Sequence, residues 1–350
     1  MKRKINRSVE IVIDATIYLG GVGIGEYYTQ PSVFKKAWES SQRMLNEMFG
    51  GVMEYISPTG ISCPPLSYGH LGCIGAKIRY PENSDPNMTQ MVDSVGEGIK
   101  WLKRSWDFSK SDIFKLYDAY HQKIQEDFPD KKIPFGGLGK EGPITSAVLM
   151  RGQDFYVDMY ENPEESKEFL RLLTDSIIEF EKFTRRINNI TATDNMGVGI
   201  ADDFAGFLAP SMLDEFVVPY WNRLYEGLTV TGPRSLHCEG MSRAHLPCLA
   251  KCGISYFQPS VSPLLTCSML AKDLDIAYDW LLPSFELANM DSVQIEKWVD
   301  DTVATGVHLI RTQAGRYLLQ NYAAEVGRYL LQNRGTEKIY SYLDAFKKYD

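Results

Sequence analysis

From residue 155 onward, short apolar runs alternate along the chain with segments of helical pattern. Four or more strand–helix units follow one another, each roughly 25–45 residues long, which predicts parallel strands joined by right-handed crossovers. A chain of 350 residues fits a closed barrel of this kind better than an open sheet. The sequence therefore predicts one domain of the α/β class over residues 1–350, a (β/α)8 TIM-type barrel.

The first 130 residues are less regular than the rest. Residues 30–49 have the pattern of a helix that stops at Gly50-Gly51. Residues 57–88 are rich in proline, glycine and serine, which predicts a long loop, and long loops in compact enzymes are often functional. We therefore expect an irregular N-terminal extension and a long loop ahead of regular βα units over residues 131–350.

In the regular part, predicted strands and helices alternate. The predicted strands are residues 196–201, 234–237, 254–257, 279–285 and 307–310. The predicted helices are residues 162–188, 211–228, 241–251, 268–273, 291–304 and 336–348, the second of them kinked at Pro219. Active sites of such barrels lie at the carboxyl ends of the strands. The polar residues predicted at those ends are Asp202, Asp203, His237, Cys238, Glu239, Gln258, Ser260, Ser284, Glu286, Arg311 and Thr312.

Charge and cysteine content exclude several classes of protein. The formal net charge is −8, which argues against a nucleic-acid partner because phosphate neutralisation needs clustered lysine and arginine. The six cysteines form no Cys-x-x-Cys pair, so reduced thiols are expected. No run approaches the ~18 apolar residues of a membrane span. We expect a cytoplasmic protein without membrane contact, and a homo-oligomer is left open.

His237-Cys238-Glu239 is the most informative cluster. Alternate side chains of an extended backbone share a face, so His237 and Glu239 point the same way and Cys238 the other. An imidazole and a carboxylate on one face can ligate zinc and leave a position open for substrate. A third ligand is needed, and Cys267 and Glu286 are the candidates. The alternatives are a structural His–Glu pair and, for Cys267, a buried thiol at the start of a helix.

Asp202-Asp203 closes an apolar strand. Two adjacent carboxylates there are an acid–base or ligand-orienting pair, or they cap the next turn. Residues 209–211 (Ala-Pro-Ser) already supply turn and cap chemistry downstream, which favours the functional interpretation. The candidate catalytic residues are therefore Asp202, Asp203 and Glu286, and the candidate metal ligands are His237, Glu239 and Cys267.

Several segments resemble the uroporphyrinogen decarboxylase superfamily. They are Glu141–Gly152 with its Gly-Pro-hydrophobic-Thr string, Tyr156–Glu164 as the helix entry after it, Ile200–Pro210 as the Asp-containing strand, and Leu236–Gly240 at the His-containing strand end. The similarity extends over most of the chain from about residue 20, with the segments in the same order. The resemblance implies a (β/α)8 barrel, in agreement with the strand and helix pattern.

One branch of the superfamily contains the true decarboxylases, which carry an Arg-Gln-Ala-Gly-Arg-Tyr signature near the N-terminus. Residues 1–50 contain no such string. The similar string Gln313–Tyr317 lies near the C-terminus, and we treat it as chance. Without N-terminal arginines to hold a polycarboxylate, decarboxylation is disfavoured.

The other branch contains cobalamin-dependent methyltransferases, whose zinc site uses a His-x-Cys strand end and a later cysteine. His237 matches the histidine, but Glu239 stands where the cysteine would be, and no cysteine lies near Arg311-Thr312. The resemblance thus implies an oxygen-richer site, which suits an ether, alcohol or amine methyl donor better than a thiol. The chain lacks the Asp-x-His-x-x-Gly string that binds cobalamin, so a partner protein would carry the corrinoid.

We therefore expect a zinc-dependent methyltransferase that moves a methyl group from a small donor (a methoxylated aromatic, an alcohol or an amine) to a corrinoid protein. In this hypothesis Asp202 or Asp203 orients the substrate or relays a proton. The alternatives are a metal-free decarboxylase of a porphyrin-like substrate and a non-catalytic barrel that binds a tetrapyrrole or corrinoid. A repeat of Gly-Arg-Tyr-Leu-Leu-Gln-Asn at 315–321 and 327–333 is too closely spaced for a solenoid and indicates only a duplicated helical turn.

Overall fold

The computed structural model describes residues 5–82, 84–190, 195–325 and 334–350. The strands in these ranges are β1 (Asn6–Ile11), β2 (Ile56–Ser57), β3 (Ile78–Arg79), β4 (Asn87–Met88), β5 (Val198–Ala201), β6 (Arg234–His237), β7 (Tyr256–Gln258), β8 (Ala277–Leu282) and β9 (Leu309–Ala314). The α-helices are α1 (Ile13–Gly20), α2 (Ile24–Thr29), α3 (Phe34–Phe49), α4 (Gly69–Cys73), α5 (Val95–Leu102), α6 (Asp112–Asp127), α7 (Pro143–Arg151), α8 (Phe155–Glu161), α9 (Pro163–Ile187), α10 (Leu213–Phe216), α11 (Val218–Leu228), α12 (Pro247–Lys251), α13 (Cys267–Asp273), α14 (Ser284–Asn289), α15 (Ser292–Val303), α16 (Arg316–Glu325) and α17 (Arg334–Asp344). Short 3-10 turns lie at Pro31–Val33, Gly50–Tyr55, Phe108–Lys110, Asp203–Phe207, Pro210–Met212, Arg243–His245 and Lys347–Tyr349.

The chain forms two compact units: the first is Met1–Ile61 with Thr266–Asp350, and the second is Ser62–Leu265. The first unit holds parallel strands in the order β2-β1-β9-β8. The second holds parallel strands in the order β5-β6-β7 and a short antiparallel pair of β3 with β4. Parallel strands separated along the chain by helices confirm the predicted α/β class. One domain over the whole chain stays a prediction.

In the first unit, strand β9 runs to Ala314 instead of ending at residue 310. The prediction that Arg311 and Thr312 lie at a strand end is therefore wrong. The Arg311 guanidinium is buried and binds Asp279 of β8 at 2.8 Å and Glu10 of β1 at 2.9 Å. These ion pairs explain the longer strand, because they let a charged residue stay inside a sheet whose neighbouring strands supply its partners.

The boundary of strand β8 also differs from the prediction. The strand ends at Leu282, three residues earlier than expected, and Pro283 precedes helix α14. Proline lacks the N–H that would extend the ladder, so the strand cannot continue through it. Ser284 and Glu286 therefore lie on the first turn of α14 and not at a strand end.

In the second unit, helix α9 confirms the helix predicted at 162–188. It begins with Pro163 at its first position and with Glu164 and Glu165 in its first turn, where a missing N–H and negative charges are both favourable. The helix contacts α5, α7, α8 and α11. Its buried large apolar residues are Phe169, Leu170, Leu173, Ile177, Ile178 and Phe180.

The kinked helix predicted over 211–228 consists of two helices, α10 and α11. They separate at Val217, where φ is −119°, two residues before Pro219. Pro219 thus lies in the first turn of α11, where its missing N–H is harmless. The new helix buries Trp221, which is 1% exposed.

The long loop predicted over 57–88 contains a short helix, α4, and the β3–β4 pair. The middle of the loop is hydrogen-bonded to residues 134–143, a segment rich in glycine. The Leu66 N–H donates to the Gly137 carbonyl at 2.7 Å, and the Gly139 N–H donates to the Leu66 carbonyl at 2.8 Å. Gly137 has a φ of +88°, a conformation that favours glycine. The loop is therefore ordered by backbone pairing that side-chain patterns do not reveal.

Three further expectations concern single segments. Helix α3 ends at Phe49, as Gly50-Gly51 predicted. The first copy of the repeated string begins helix α16 after Gly315, and the second copy, 327–333, lies outside the described residues. Within the described parts of the chain, no helix is both long enough and apolar enough to span a bilayer.

Candidate active site

The carboxyl ends of strands β5, β6 and β7 bring four polar side chains together in the second unit. Parallel pairing places Ala201 opposite His237 and His237 opposite Gln258. Asp203 follows the end of β5 in a 3-10 turn, and Glu239 follows the end of β6. The sequence predicted this placement, because ends of parallel strands share one edge of a sheet.

The His237 ring is held in one orientation. Its Nδ1 lies 2.6 Å from Gln258 Oε1, and an amide oxygen can only accept, so Nδ1 carries the proton. Its Nε2 faces Asp203 Oδ1 at 3.4 Å and Glu239 Oε1 at 4.0 Å. A bare lone pair would be repelled by two carboxylates. The Nε2 side of the ring therefore faces carboxylate oxygens, which together with an imidazole nitrogen are of the kind that bind a metal ion.

Asp203 and Glu239 are accessible as well as close together. Their side chains are 35% and 40% exposed, and that of His237 is 29% exposed. Asp203 Oδ1 accepts the backbone N–H of Glu239 at 2.9 Å, which fixes the turn after β6. Partial burial raises the pKa of Asp203, while this N–H and His237 act in the opposite direction. The three side chains form an open, polar cluster that a small molecule can reach.

Asp202 differs sharply from its neighbour, because its side chain is fully buried. Its oxygens accept the backbone N–H groups of Thr145 at 2.6 Å and Ile144 at 3.3 Å, and the indole N–H of Trp221 at 2.7 Å. It thereby caps the N-terminus of helix α7, where a negative charge is favourable. Burial raises the pKa of Asp202 to about 6 against the effect of these donors. Contact of Asp202 with a substrate stays a prediction.

Cys238 lies on the opposite face from His237 and Glu239, as strand alternation predicted. It is buried, and its thiol donates to the Asp202 carbonyl at 3.2 Å. Burial and the nearby carboxylates raise the pKa of Cys238 well above its usual value. Because its thiol lies on the face opposite to His237 and Glu239, Cys238 is not a candidate ligand for an ion that these two residues bind.

Cys267 and Glu286 belong to the first unit. Cys267 begins helix α13, is buried, and has its Sγ 3.1 Å from Thr305 Oγ1. Burial raises the pKa of this thiol as well. These are the properties of a buried thiol at a helix start, the alternative interpretation of Cys267. Glu286 is exposed on α14. Their roles as a third metal ligand and as a catalytic group stay predictions.

The side chains of this cluster have donor atoms of the kind that bind a metal ion, but they are not arranged around a metal position. Within the described residues, no group of three or more His, Cys, Asp and Glu side chains is arranged to hold a metal ion. The donors around His237 are nevertheless of the right kind, since zinc binds a neutral imidazole nitrogen together with carboxylate oxygens. Glu239 is the side chain with the freedom to move closer, because it is 40% exposed.

Glu141 is the site residue that the sequence interpretation missed. The N–H of the next residue, Gly142, donates to the Ala201 carbonyl at 2.6 Å, at the end of β5. Burial, and then the charges of Asp203 and Asp202, raise the pKa of Glu141 to about 8. The only available signal was its position directly before the Gly-Pro turn, and that signal does not separate a site residue from a surface one.

The family model described as uroporphyrinogen decarboxylase matches residues 68–265, which is more than half of the chain. This chain belongs to the uroporphyrinogen decarboxylase family. The match includes Glu141, Asp203, His237, Glu239 and Gln258. It ends before the segment of the first unit that begins at residue 266. The resemblance inferred from the sequence is thus confirmed.

The structure is similar to that of a methyltransferase from Methanosarcina mazei. The two have a TM-score of 0.65 and 15% sequence identity, and the similarity covers 99% of this chain and 94% of the other. At this identity the likeness shows the fold alone, and it confirms the predicted (β/α)8 barrel fold of the uroporphyrinogen decarboxylase family. The comparison with curated protein sequences gave no match.

Proposed function

We propose that this member of the uroporphyrinogen decarboxylase family is a methyltransferase that moves a methyl group from a small donor to a corrinoid carried by a partner protein. The observation that carries the proposal is the position of His237 Nε2, which lies 3.4 Å from Asp203 Oδ1 and 4.0 Å from Glu239 Oε1 on the exposed side of the cluster. The fold likeness to a methyltransferase supports it. So does the lack of the N-terminal arginine signature of the decarboxylases.

Zinc is the cation that we propose at this position, with His237 and Glu239 as two ligands. Cys267 as the third ligand stays a prediction from the sequence. Bound there, zinc would act as a Lewis acid that stabilises negative charge on the heteroatom losing its methyl group. A donor set with one or two carboxylates is harder than one of thiolates. We therefore propose a donor with a methylated oxygen or nitrogen: a methoxylated aromatic, an alcohol or an amine.

The chain's own residues position this centre. Gln258 keeps Nδ1 of His237 protonated, so that Nε2 faces the open side. Asp203 holds the backbone of Glu239 and faces the same opening, where it can orient a donor. Asp202 holds the start of α7 beneath them. The partly exposed side chains leave room for a bulky partner to approach, which suits a corrinoid delivered on another protein.

The test combines metal content with methyl transfer. Purified chain, without an affinity tag, is analysed for metals and then mixed with chemically reduced cobalamin and a panel of aryl methyl ethers, methanol and methylamines. We expect about one zinc per chain and the methylcobalamin spectrum with at least one donor. His237→Ala should lose both the metal and the activity, and Glu239→Gln should lose activity.

Two further variants sharpen this test. Cys267→Ser should lower zinc content if the thiolate is the third ligand, whereas Glu179→Gln on the surface of α9 is the matched control and should change nothing. Methyl transfer that persists in wild type after removal of all metal by a chelator would overturn the role of zinc. Release of carbon dioxide from a carboxylated tetrapyrrole, without methyl transfer, would overturn the proposed function in favour of a decarboxylase.

A further inference from the structure

We infer that Glu141 is the proton donor to the heteroatom that loses the methyl group. This inference rests on the proposed function and adds a catalytic residue to it. It begins from position: Glu141 precedes helix α7 at the carboxyl end of β5, on the same edge of the sheet as Asp203 and His237.

The backbone around Glu141 has little freedom. The Gly142 N–H is bonded to the end of β5, and a Cβ at Gly142 would lie 2.4 Å from the Cβ of Asp202, so no larger residue fits there. The Ser146 hydroxyl donates to the Glu141 carbonyl at 3.3 Å. The main chain at Glu141 is therefore fixed next to the end of β5, the strand end that carries Asp202 and Asp203.

The groups that face the Glu141 carboxyl come from two segments. Asp202 and Asp203 approach from the end of β5, and Tyr68 with the Ser67 hydroxyl approaches from the start of α4. Two of these groups are carboxylates, which disfavour a further negative charge nearby. Ser67 stabilises the charged form of Glu141, but burial and the two carboxylates outweigh it.

Lys140 is the cation closest along the chain, and it is already paired. Its ammonium lies 2.6 Å from Glu181 Oε2, and both side chains are mostly buried. Glu181 in turn accepts from Arg185 at 3.3 Å. Lys140 therefore stabilises a Glu141 carboxylate only weakly, and Glu141 carries its proton at neutral pH, with a pKa raised to about 8. A proton donor needs a pKa of this kind, near the working pH.

The chemical step balances with this proton. A reduced corrinoid, the methyl acceptor of the proposed function, would supply the electron pair of the new bond to the methyl carbon. The old carbon–heteroatom bond breaks, and its pair stays on the oxygen or nitrogen. Glu141 gives its proton to that atom and becomes a carboxylate, which water can reprotonate because the side chain is partly exposed. Asp203 differs from Glu141 because its carboxylate form accepts the Glu239 N–H and faces His237, and both contacts act against the rise in its pKa that burial causes.

The test uses Glu141→Gln and a series of aryl methyl ethers. Glutamine keeps the size and the Ser67 contact but has no acidic proton. General acids contribute roughly 10²–10⁴-fold, so we expect a loss of about that size for anisole and a much smaller loss for 4-nitroanisole, whose phenolate leaves without help. Glu179→Gln is again the matched surface control. Equal losses for both ethers would overturn the inference and make Glu141 a structural residue.

A second readout does not depend on turnover. Infrared difference spectra between pH 7 and pH 9 should contain a protonated-carboxyl band that is lost with rising pH and is missing from Glu141→Gln. Asp202, with a pKa of about 6, is mostly ionised at pH 7, and the part of the band that is lost in Glu141→Gln is the part that belongs to Glu141. The absence of this band from the wild-type spectra would overturn the inference about Glu141 but would not affect the proposed methyltransferase function. A band without methyl transfer by wild type to any acceptor would refute the proposed function, and the donor role with it.

Discussion

The replacement Asp202→Asn tests whether the hydrogen bonds that this buried carboxyl group accepts stabilise the fold. One of its oxygens accepts both the Ile144 N–H at 3.3 Å and the Trp221 indole N–H at 2.7 Å. Asparagine keeps the volume, but its amide nitrogen cannot accept a hydrogen bond, whereas each oxygen of a carboxyl group can accept one whether or not the group carries its proton. A buried donor without an acceptor costs about 1–3 kcal/mol. We therefore expect Asp202→Asn to lower the free energy of unfolding by about that amount at pH 5.

This deficit should depend on pH with a definite sign. Burial raises the pKa of Asp202 from 3.8 to about 6 in the folded chain. The unfolded chain thus releases the proton first, and the stability contributed by Asp202 is complete below pH 3.8 and is lost as the pH rises through 6. A shift of about two units corresponds to about 3 kcal/mol. About 1.4 kcal/mol of this stability is lost between pH 5 and pH 8, because the folded-state pKa of about 6 lies one unit above pH 5.

The assay is urea unfolding of the full chain at pH 5 and at pH 8, followed by tryptophan fluorescence. Asparagine does not titrate, so the deficit of Asp202→Asn should shrink by about 1.4 kcal/mol from the lower to the higher pH. Asp203→Asn is the matched control: its carboxyl is 35% exposed, and its deficit should vary less with pH. A deficit of Asp202→Asn that is equal at both pH values would refute the reasoning that burial governs this group.

Two other replacements test one side-chain contact in each unit, the Gln258–His237 hydrogen bond and the Arg311–Asp279 ion pair. Gln258→Leu removes the acceptor for His237 Nδ1 and should lower methyl transfer by roughly 10–100-fold with little loss of stability. Gln258→Glu keeps an acceptor and should recover part of the lost activity. Initial rates and unfolding curves check both variants. Arg311→Met removes the guanidinium that binds the buried Asp279 carboxylate and should cost about 3–5 kcal/mol in urea unfolding. The control Glu10→Gln should cost under about 1 kcal/mol, because Glu10 is 37% exposed.

Sequence patterns predicted the elements that carry strong local signals. Helix α9 has a proline and two glutamates at its start, and helix α3 ends at a glycine pair, so both could be placed from the sequence. The side-chain alternation of a strand likewise separated His237 and Glu239 from Cys238. In each case the physical cause acts within a few residues along the chain, which is the range that a single sequence displays.

Contacts between distant residues set the features that the sequence could not provide. Strand β9 continues through Arg311 only because β8 and β1 supply Asp279 and Glu10, which lie far away along the chain. Strand β1 and its pairing with β9 were missed for the same reason. Gln258 was visible as a strand-end residue, but its hydrogen bond to His237 depends on the register between β6 and β7.

The three acidic residues at the end of β5 show why protonation cannot be read from residue type. Asp202 and Asp203 are neighbours in sequence, yet one is buried with three donors and the other is open to solvent. Glu141 lies far from both along the chain and faces them in the fold. Two carboxyls close together cannot both ionise freely, so an ionised Asp203 favours a protonated Glu141. If the aryl ether series gives the expected result, that division of charge between Asp203 and Glu141 is what lets one strand end both orient a methyl donor and protonate its leaving group.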